Sequence, residues 1–188
     1  MADNHELDRE TLRVLQAQSG SHEALDELFK SIQVPLFRYI VSLVKERQLA
    51  EDILQEVFMR IYRKLRWLRE PRAFKAWTYQ IATREAFRYL QREKRWSEQL
   101  EDHETVSVEV PVQEFSRELI ASVPNMIERL SPASRAVITL YYLHDLSLDE
   151  TAAVLSVPLG TVKSRLSYGL NALRKQIDNS EVNRNEKA

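Results

Sequence analysis

The sequence predicts an all-α protein: two small helical domains joined by a flexible linker, the C-terminal one a four-helix domain with a helix-turn-helix. Three observations carry that expectation. Apolar residues recur at three- and four-residue steps through nearly every segment, which is the period of an amphipathic helix. Only three glycines and six prolines interrupt 188 residues, too few to break the chain often. One stretch, SEQLEDHETVSVEVPVQEF at 97–115, loses the period and becomes acidic and β-branched around Pro111, as a linker does. The expected bounds are therefore 1–96 for the N-terminal domain, 97–115 for the linker, 116–178 for the C-terminal domain and 179–188 for a disordered polar tail.

In chain order, residues 8–18 and 22–45 read as helices. The second has a wide apolar face from Leu25, Leu28, Phe29 and Ile32 to Leu36, Phe37, Ile40, Val41 and Val44. Pro35 lies inside it and should kink it or start a new helix, because proline lacks the N–H that a helix interior needs. Residues 49–68 repeat Ile53, Val57, Ile61 and Leu65 at steps of four, with Asp52, Gln55, Glu56, Arg60 and Arg63 projecting elsewhere. Acid near the start and base near the end suit the helix dipole. A plain solvated face explains that pattern as well. REPRA at 69–73 is a break.

Residues 74–95 read as one long helix. Arg84, Arg88, Arg92 and Arg95 run along one stripe of it. Like charges so spaced repel by a few tenths of a kcal/mol per pair, which an anion lying against the stripe would relieve. Trp77, Tyr79, Phe87, Tyr89 and Trp96 interleave with the basic residues. Aromatic rings between cations suit stacking on single-stranded bases. Trp77 and Phe87 read instead as core, while Tyr79 and Tyr89 fit either role.

Residues 116–130 and 132–144 read as two further helices, the second capped by Ser131 with Pro132 at its first position and a buried face of Val137, Ile138, Leu140, Tyr141 and Leu143. Residues 146–177 then give a short helix, a turn and a longer helix. Ser147 and Glu150 form a capping box. Ala152, Ala153 and Leu155 form a small apolar face, and Ser156, Val157 and Pro158 break the helix. Leu159, Val162, Leu166, Leu170 and Leu173 recur at helical spacing, leaving Thr161, Lys163, Ser164, Arg165 and Tyr168 largely off the stripe. That arrangement fits a helix-turn-helix whose second helix enters the major groove. An ordinary helical hairpin with a solvated face fits it too.

Charge is the second line of argument. The net charge is −1, but residues 60–95 hold 12 basic and 3 acidic side chains. A +9 block in a near-neutral chain points to a localised polyanion contact. Without cysteine there is no disulfide framework, zinc ribbon or thiol nucleophile. The four histidines are scattered, and no HExxH, GxSxG or phosphate-loop glycine motif occurs, so no catalytic chemistry, metal or cofactor is expected. Asp52 and Glu56 share a helix face, but no histidine accompanies them and no second such pair completes a metal site. The polar N-terminus and the lack of an apolar run near 18 residues lead to the expectation of a cytoplasmic protein.

Together, EDILQEVF at 51–58, the basic aromatic helix at 74–95 and PLGTVKSRL at 158–166 resemble the extracytoplasmic-function group of bacterial RNA polymerase sigma factors, over about residues 22–177. The resemblance implies a non-enzymatic initiation factor that binds core RNA polymerase through the β′ and β subunits, reads −10 and −35 promoter elements and helps melt DNA. It places Asp52, Gln55, Glu56 and Arg60 toward polymerase. It places Arg84, Arg88, Tyr89, Arg92, Lys94 and Arg95 at the −10 element, with the REPRA break beside a flipped-out base. Thr161, Lys163, Ser164, Arg165 and Tyr168 then face the −35 groove. It also implies a linker threaded near the RNA exit path and an anti-sigma partner that holds the protein inactive, often from the membrane. No small-molecule substrate is implied.

Two departures bear on specificity. The family often has Asn where Arg84 stands and Asp where Arg88 stands, so base preference does not carry over. Many members read SRL-x-R-A-R where this chain has SRLSYGL, which removes two basic residues and puts Gly169 in mid-helix at a propensity cost of roughly 1 kcal/mol. Two other readings remain at this stage. A helix-turn-helix regulator acting without polymerase predicts a dimer on a palindromic site. A helical adaptor binding an acidic partner predicts no DNA footprint.

Overall fold

A serine and a left-handed residue bracket the longest helix of the N-terminal half, and such local devices set most element boundaries here. The computed structural model describes residues 2–92, 120 and 124–185, with side chains described for 7–92, 120 and 125–177. Contacts divide the chain into two units, Met1–Arg92 and Glu93–Ala188. Among the described residues all regular structure is helical, and no helix is long and apolar enough to cross a membrane.

The first unit contains α1 (Ala2–Gln18), α2 (His22–Val44), α3 (Arg47–Lys64) and α4 (Phe74–Arg92). The first helix starts six residues earlier than its periodicity predicted. Ser21 caps α2 by accepting the Ala24 N–H at 3.2 Å, and Lys45, at φ 61°, ends it by donating to the Val41 carbonyl. Pro35 does not split α2, which runs through it. The donor that proline removes would have served the carbonyl of Ser31, which is an exposed residue.

Between α3 and α4 the chain makes two 3₁₀ turns, Leu65–Trp67 and Pro71–Ala73. The expected helix at 49–68 therefore closes at Lys64. Gln18, at the end of α1, donates to the carbonyls of Leu65 and Leu68 at 2.9 and 2.8 Å. The Leu65 carbonyl also takes the Leu68 N–H at 3.0 Å, so the amide adds a second donor there and supplies one to Leu68. On the other turn, Glu70 accepts the Arg72 N–H at 3.3 Å.

Leu28, Leu36, Tyr39, Ile40, Val57, Ile61, Phe74, Ala82 and Ala86 form the core of this unit. The Tyr39 hydroxyl lies 2.8 Å from Thr83 Oγ1, which itself donates to the Tyr79 carbonyl; Tyr39 is thereby the donor of that pair. Tyr79 packs edge-on against Tyr39 and is buried, so it belongs to the core. Trp77 and Phe87, expected in the core, are half-buried, with Trp77 tilted against Phe74.

The second unit contains α5 (Pro124–Ile127), α6 (Pro132–Ile138), α7 (Leu148–Leu155) and α8 (Leu159–Asn185). Ser131 caps α6 by accepting the Ser134 N–H. A π turn, Thr139–Leu143, continues α6, so the expected helix at 132–144 changes its hydrogen bonding halfway along. Ile120, Ile127, Leu130, Val137, Ile138, Tyr142, Val162, Leu166, Leu170 and Leu173 form one apolar cluster. Leu143, expected inside, is exposed, because the π turn rotates it off the buried stripe. The helix expected over 116–130 lies largely outside the described residues, as do 97–115. Helix α8 continues through 179–185, where a disordered tail was expected. No proline or glycine follows Gly169, so nothing local forces the helix to stop.

Candidate nucleic-acid interface

Helices α7 and α8 form the helix-turn-helix. The capping box is complete: Ser147 Oγ accepts the Glu150 N–H at 3.1 Å, and Glu150 Oε2 accepts the Ser147 N–H at 2.8 Å. Ser156 adopts a left-handed conformation at φ 55° and ends α7, and the Val157 N–H donates back to the Ala152 carbonyl at 3.1 Å. The Pro158 carbonyl then accepts from Thr161 and Val162, which starts α8 without a side-chain cap. The inward face of α7 is Thr151 and Val154, not Ala153, which is exposed. Ala152 and Leu155 pack against the core cluster as expected, and Thr151 is wholly buried beside them.

On α8, at about 100° per residue, Thr161, Ser164, Arg165 and Tyr168 fall on one stripe facing away from the buried Val162, Leu166, Leu170 and Leu173. Lys163 is exposed but lies roughly 160° from Thr161 around the helix axis. Ser164 Oγ donates to the Thr161 carbonyl at 3.0 Å, Tyr168 is exposed and Arg165 is half-buried. Burial pulls the Arg165 guanidinium below its usual pKa.

Gly169 faces inward. A Cβ built on it would lie 2.6 Å from Ile138 Cδ1 and 3.2 Å from Ser134 Cβ. The glycine that looked only like a propensity loss is what lets α8 approach α6. On α6 itself, Arg135 is buried and donates from Nη2 to the Leu130 carbonyl at 2.8 Å. Burial lowers its pKa to about 10, with nearby Glu128 opposing the shift.

In the first unit, Asp52, Gln55 and Glu56 are exposed along the outer stripe of α3. Met59 and Tyr62 are exposed beside them. Their exposure was not legible from the apolar count, because a methionine or tyrosine beside an i,i+4 core stripe reads as more core. Arg60 turns toward α4: its Nε lies 2.9 Å from Glu56 Oε1 and 2.8 Å from Glu85 Oε1.

On α4, Arg84, Arg88 and Arg92 are exposed and Tyr89 is half-buried. Arg88 Nη2 pairs with Glu85 Oε2. Lys94 and Arg95 lie outside the described residues. The preceding turns add Arg66, Arg69 and Arg72, all exposed. Trp67 is 68% exposed, with the Arg66 guanidinium 4.5 Å from its ring centroid. An exposed indole with a cation over one face suits stacking on a base. Among the described residues no cluster of three or more histidines and carboxylates could hold a metal ion.

Comparison with known proteins matches each unit separately. The family described as Sigma-70 region 2 matches residues 28–96, and Sigma-70 region 4 matches 126–175. The chain is 30% identical over 177 residues to the ECF RNA polymerase sigma factor SigW of Bacillus subtilis, covering 88% of this chain and 95% of that protein. It is 32% identical over 176 residues to the RNA polymerase sigma-H factor of Pseudomonas aeruginosa, covering 87% and 91%. Among solved structures, CnrH in complex with the cytosolic domain of CnrY has the same fold, with a TM-score of 0.66 at 24% identity over 90% of this chain and 97% of that one. The sigma factor RpoE in complex with the anti-sigma factor NepR from Bartonella quintana matches with a TM-score of 0.61 at 26% identity, over 81% and 96%.

Proposed function

The chain belongs to the extracytoplasmic-function group of RNA polymerase sigma factors, and from that premise we propose how its two units divide the work of initiation. As a sigma factor it recognises promoters and starts transcription. In our reading the unit at 1–96 binds core polymerase through the β′ and β subunits and reads the −10 element, and the unit at 116–178 reads the −35 element. The single observation that supports this division is the match of region 2 and region 4 to separate units, in that order.

The physical roles follow from what each surface offers. The exposed carboxylates Asp52 and Glu56, with Gln55, form a polar stripe that complements a basic coiled coil on polymerase. The exposed Arg84 and Arg92 of α4 neutralise the phosphates of the melting strand, a term that is strong and indifferent to sequence, and Arg88 lies at the same element. The stripe of Thr161, Ser164, Arg165 and Tyr168 lies in the major groove. With one arginine on it, groove binding leans on the N-terminal amides of α8 and on DNA shape. Lys163, on the other side of that helix, reaches a flanking phosphate. Lys94 and Arg95 would add their charge to the same −10 contact.

The anti-sigma complex of the RpoE relative supports a similar inhibitory partner here, with the protein cytoplasmic and nucleoid-associated when released. Run-off transcription with core polymerase on fragmented genomic DNA, followed by mapping of start sites, tests the reading. It predicts a one-to-one complex with core enzyme and starts at a shared bipartite sequence. A chain that does not bind core polymerase would overturn it.

A further inference from the structure

Glu85 is a nearly buried carboxylate, 7% exposed, on a helix whose outer face is basic. Its two oxygens are divided. Oε1 lies 2.8 Å from Arg60 Nε of α3, and Oε2 takes Arg88 Nη2 of its own helix. Arg60 is further held by Glu56 at 2.9 Å. Among the described residues neither Arg84 nor Arg92 is ion-paired. The arginines of the stripe are therefore unlike. Two are loose cations on flexible stems, and one is clamped from behind by a carboxylate that is itself anchored to the neighbouring helix.

That difference has a chemical consequence. Contacts to phosphate position a protein on DNA, and loose cations suffice for them; sequence is read at base edges, where a guanidinium must be aimed. A clamp supplies that aim, because a functional side chain is precise only when a second residue fixes its rotamer. The clamp also offsets part of the charge of Arg88, which weakens it as a general phosphate ligand. We propose that Glu85 is a positioning residue for promoter reading: it holds Arg88 in one orientation toward a base of the −10 element, with Arg60 as the far anchor of the clamp. This rests on the assignment of α4 to the −10 element.

The test is transcription from a promoter library with the −10 element randomised, using core polymerase with the wild-type chain, Glu85→Gln, Arg88→Ala, Arg60→Gln and the Glu85→Gln/Arg88→Ala double variant. Glutamine is nearly isosteric with glutamate and removes the charge that clamps both arginines. Arg88→Ala should flatten base preference at one or two positions. Glu85→Gln should flatten the same positions by about fivefold or more, and the double variant should do no more than Arg88→Ala alone. Arg60→Gln should give a partial version of the same change, and it carries the test if Glu85→Gln does not fold. A Glu85→Gln profile that matches wild type, with lowered thermal stability only, overturns the proposal in favour of a structural role. So does an altered preference at positions that Arg88→Ala leaves alone, or an Arg88→Ala profile that matches wild type. If the wild-type chain itself yields no promoter-directed transcript, the sigma-factor reading has failed instead.

Discussion

Gly169 of α8 and Ser134 of α6 face each other so closely that a Cβ on the glycine would stand 3.2 Å from the serine Cβ. The serine Cβ is one bond from the backbone and cannot swing aside, whereas the Ile138 methyl on the same side can. Gly169→Val should therefore force the helices apart and lower stability by about 1–3 kcal/mol, the usual cost of overpacking. Urea denaturation measures it. A variant as stable as wild type would mean that α8 does not depend on this approach.

The case of Gly169 also marks what the sequence could and could not disclose. Periodicity located the helices because each buries one face, and Val162, Leu166, Leu170 and Leu173 lie inside as their spacing required. Capping chemistry at Ser147 and Glu150 was legible because it is local in sequence. What was not legible depends on residues far apart along the chain. Gln18 meets Leu65 across 47 positions, and Arg60 meets Glu85 across 25. No pattern on one helix announces such a pairing. The exposed Trp67 and Tyr62 were hidden for the opposite reason, since an aromatic beside an apolar stripe is assumed to join it.

Gln18 anchors the turn between α3 and α4 with two amide hydrogen bonds. Gln18→Ala removes one donor from each of two partly buried carbonyls, of which Leu65 keeps the Leu68 N–H, and should cost about 1–2 kcal/mol. It should also raise amide exchange across residues 65–73 more than elsewhere in the first unit. Uniform exchange in the variant would show that the turn is held by other contacts.

Two phenols inside the first unit make its stability sensitive to alkali. Burial raises the pKa of Tyr39 and Tyr79 above the ordinary value of 10.0. The unfolded chain then loses these protons first as pH rises. The stabilisation is whole below pH 10.0 and falls above it, by up to about 1.4 kcal/mol per pH unit for each phenol. Urea midpoints between about pH 9 and 11.5 should trace this decline. Tyr39→Phe should lessen the slope by up to one proton, and an unchanged slope would assign the decline to other groups.

Arg165 stands on the outward stripe of α8 and is half-buried. Burial lowers its pKa, yet a guanidinium stays charged at neutral pH. If that charge neutralises one phosphate of the −35 duplex, Arg165→Gln should weaken binding and reduce the slope of log K against log salt by about one. Binding of fluorescent duplex DNA at several salt concentrations reads this directly. A weaker affinity with the same slope would assign Arg165 to base contact or packing rather than to phosphate.

Asp52 and Glu56 lie one turn apart on the outer stripe of α3, opposite the buried Ile53, Val57 and Ile61. Neither contributes to the core, so replacing both with alanine should leave the unit folded. The change should even gain a little helix propensity, since alanine is the best helix former. The one internal cost is the Glu56 partner of Arg60, and Arg60 keeps Glu85 at 2.8 Å. The double variant should therefore hold its thermal midpoint within a few degrees, as surface substitutions usually do. Its affinity for core polymerase should nonetheless drop by about tenfold or more if both carboxylates face a basic partner surface. Pull-down with core enzyme at low and high salt distinguishes the outcomes. Undiminished binding by a folded variant would move the polymerase face elsewhere, with the exposed Met59 and Tyr62 the next residues to replace.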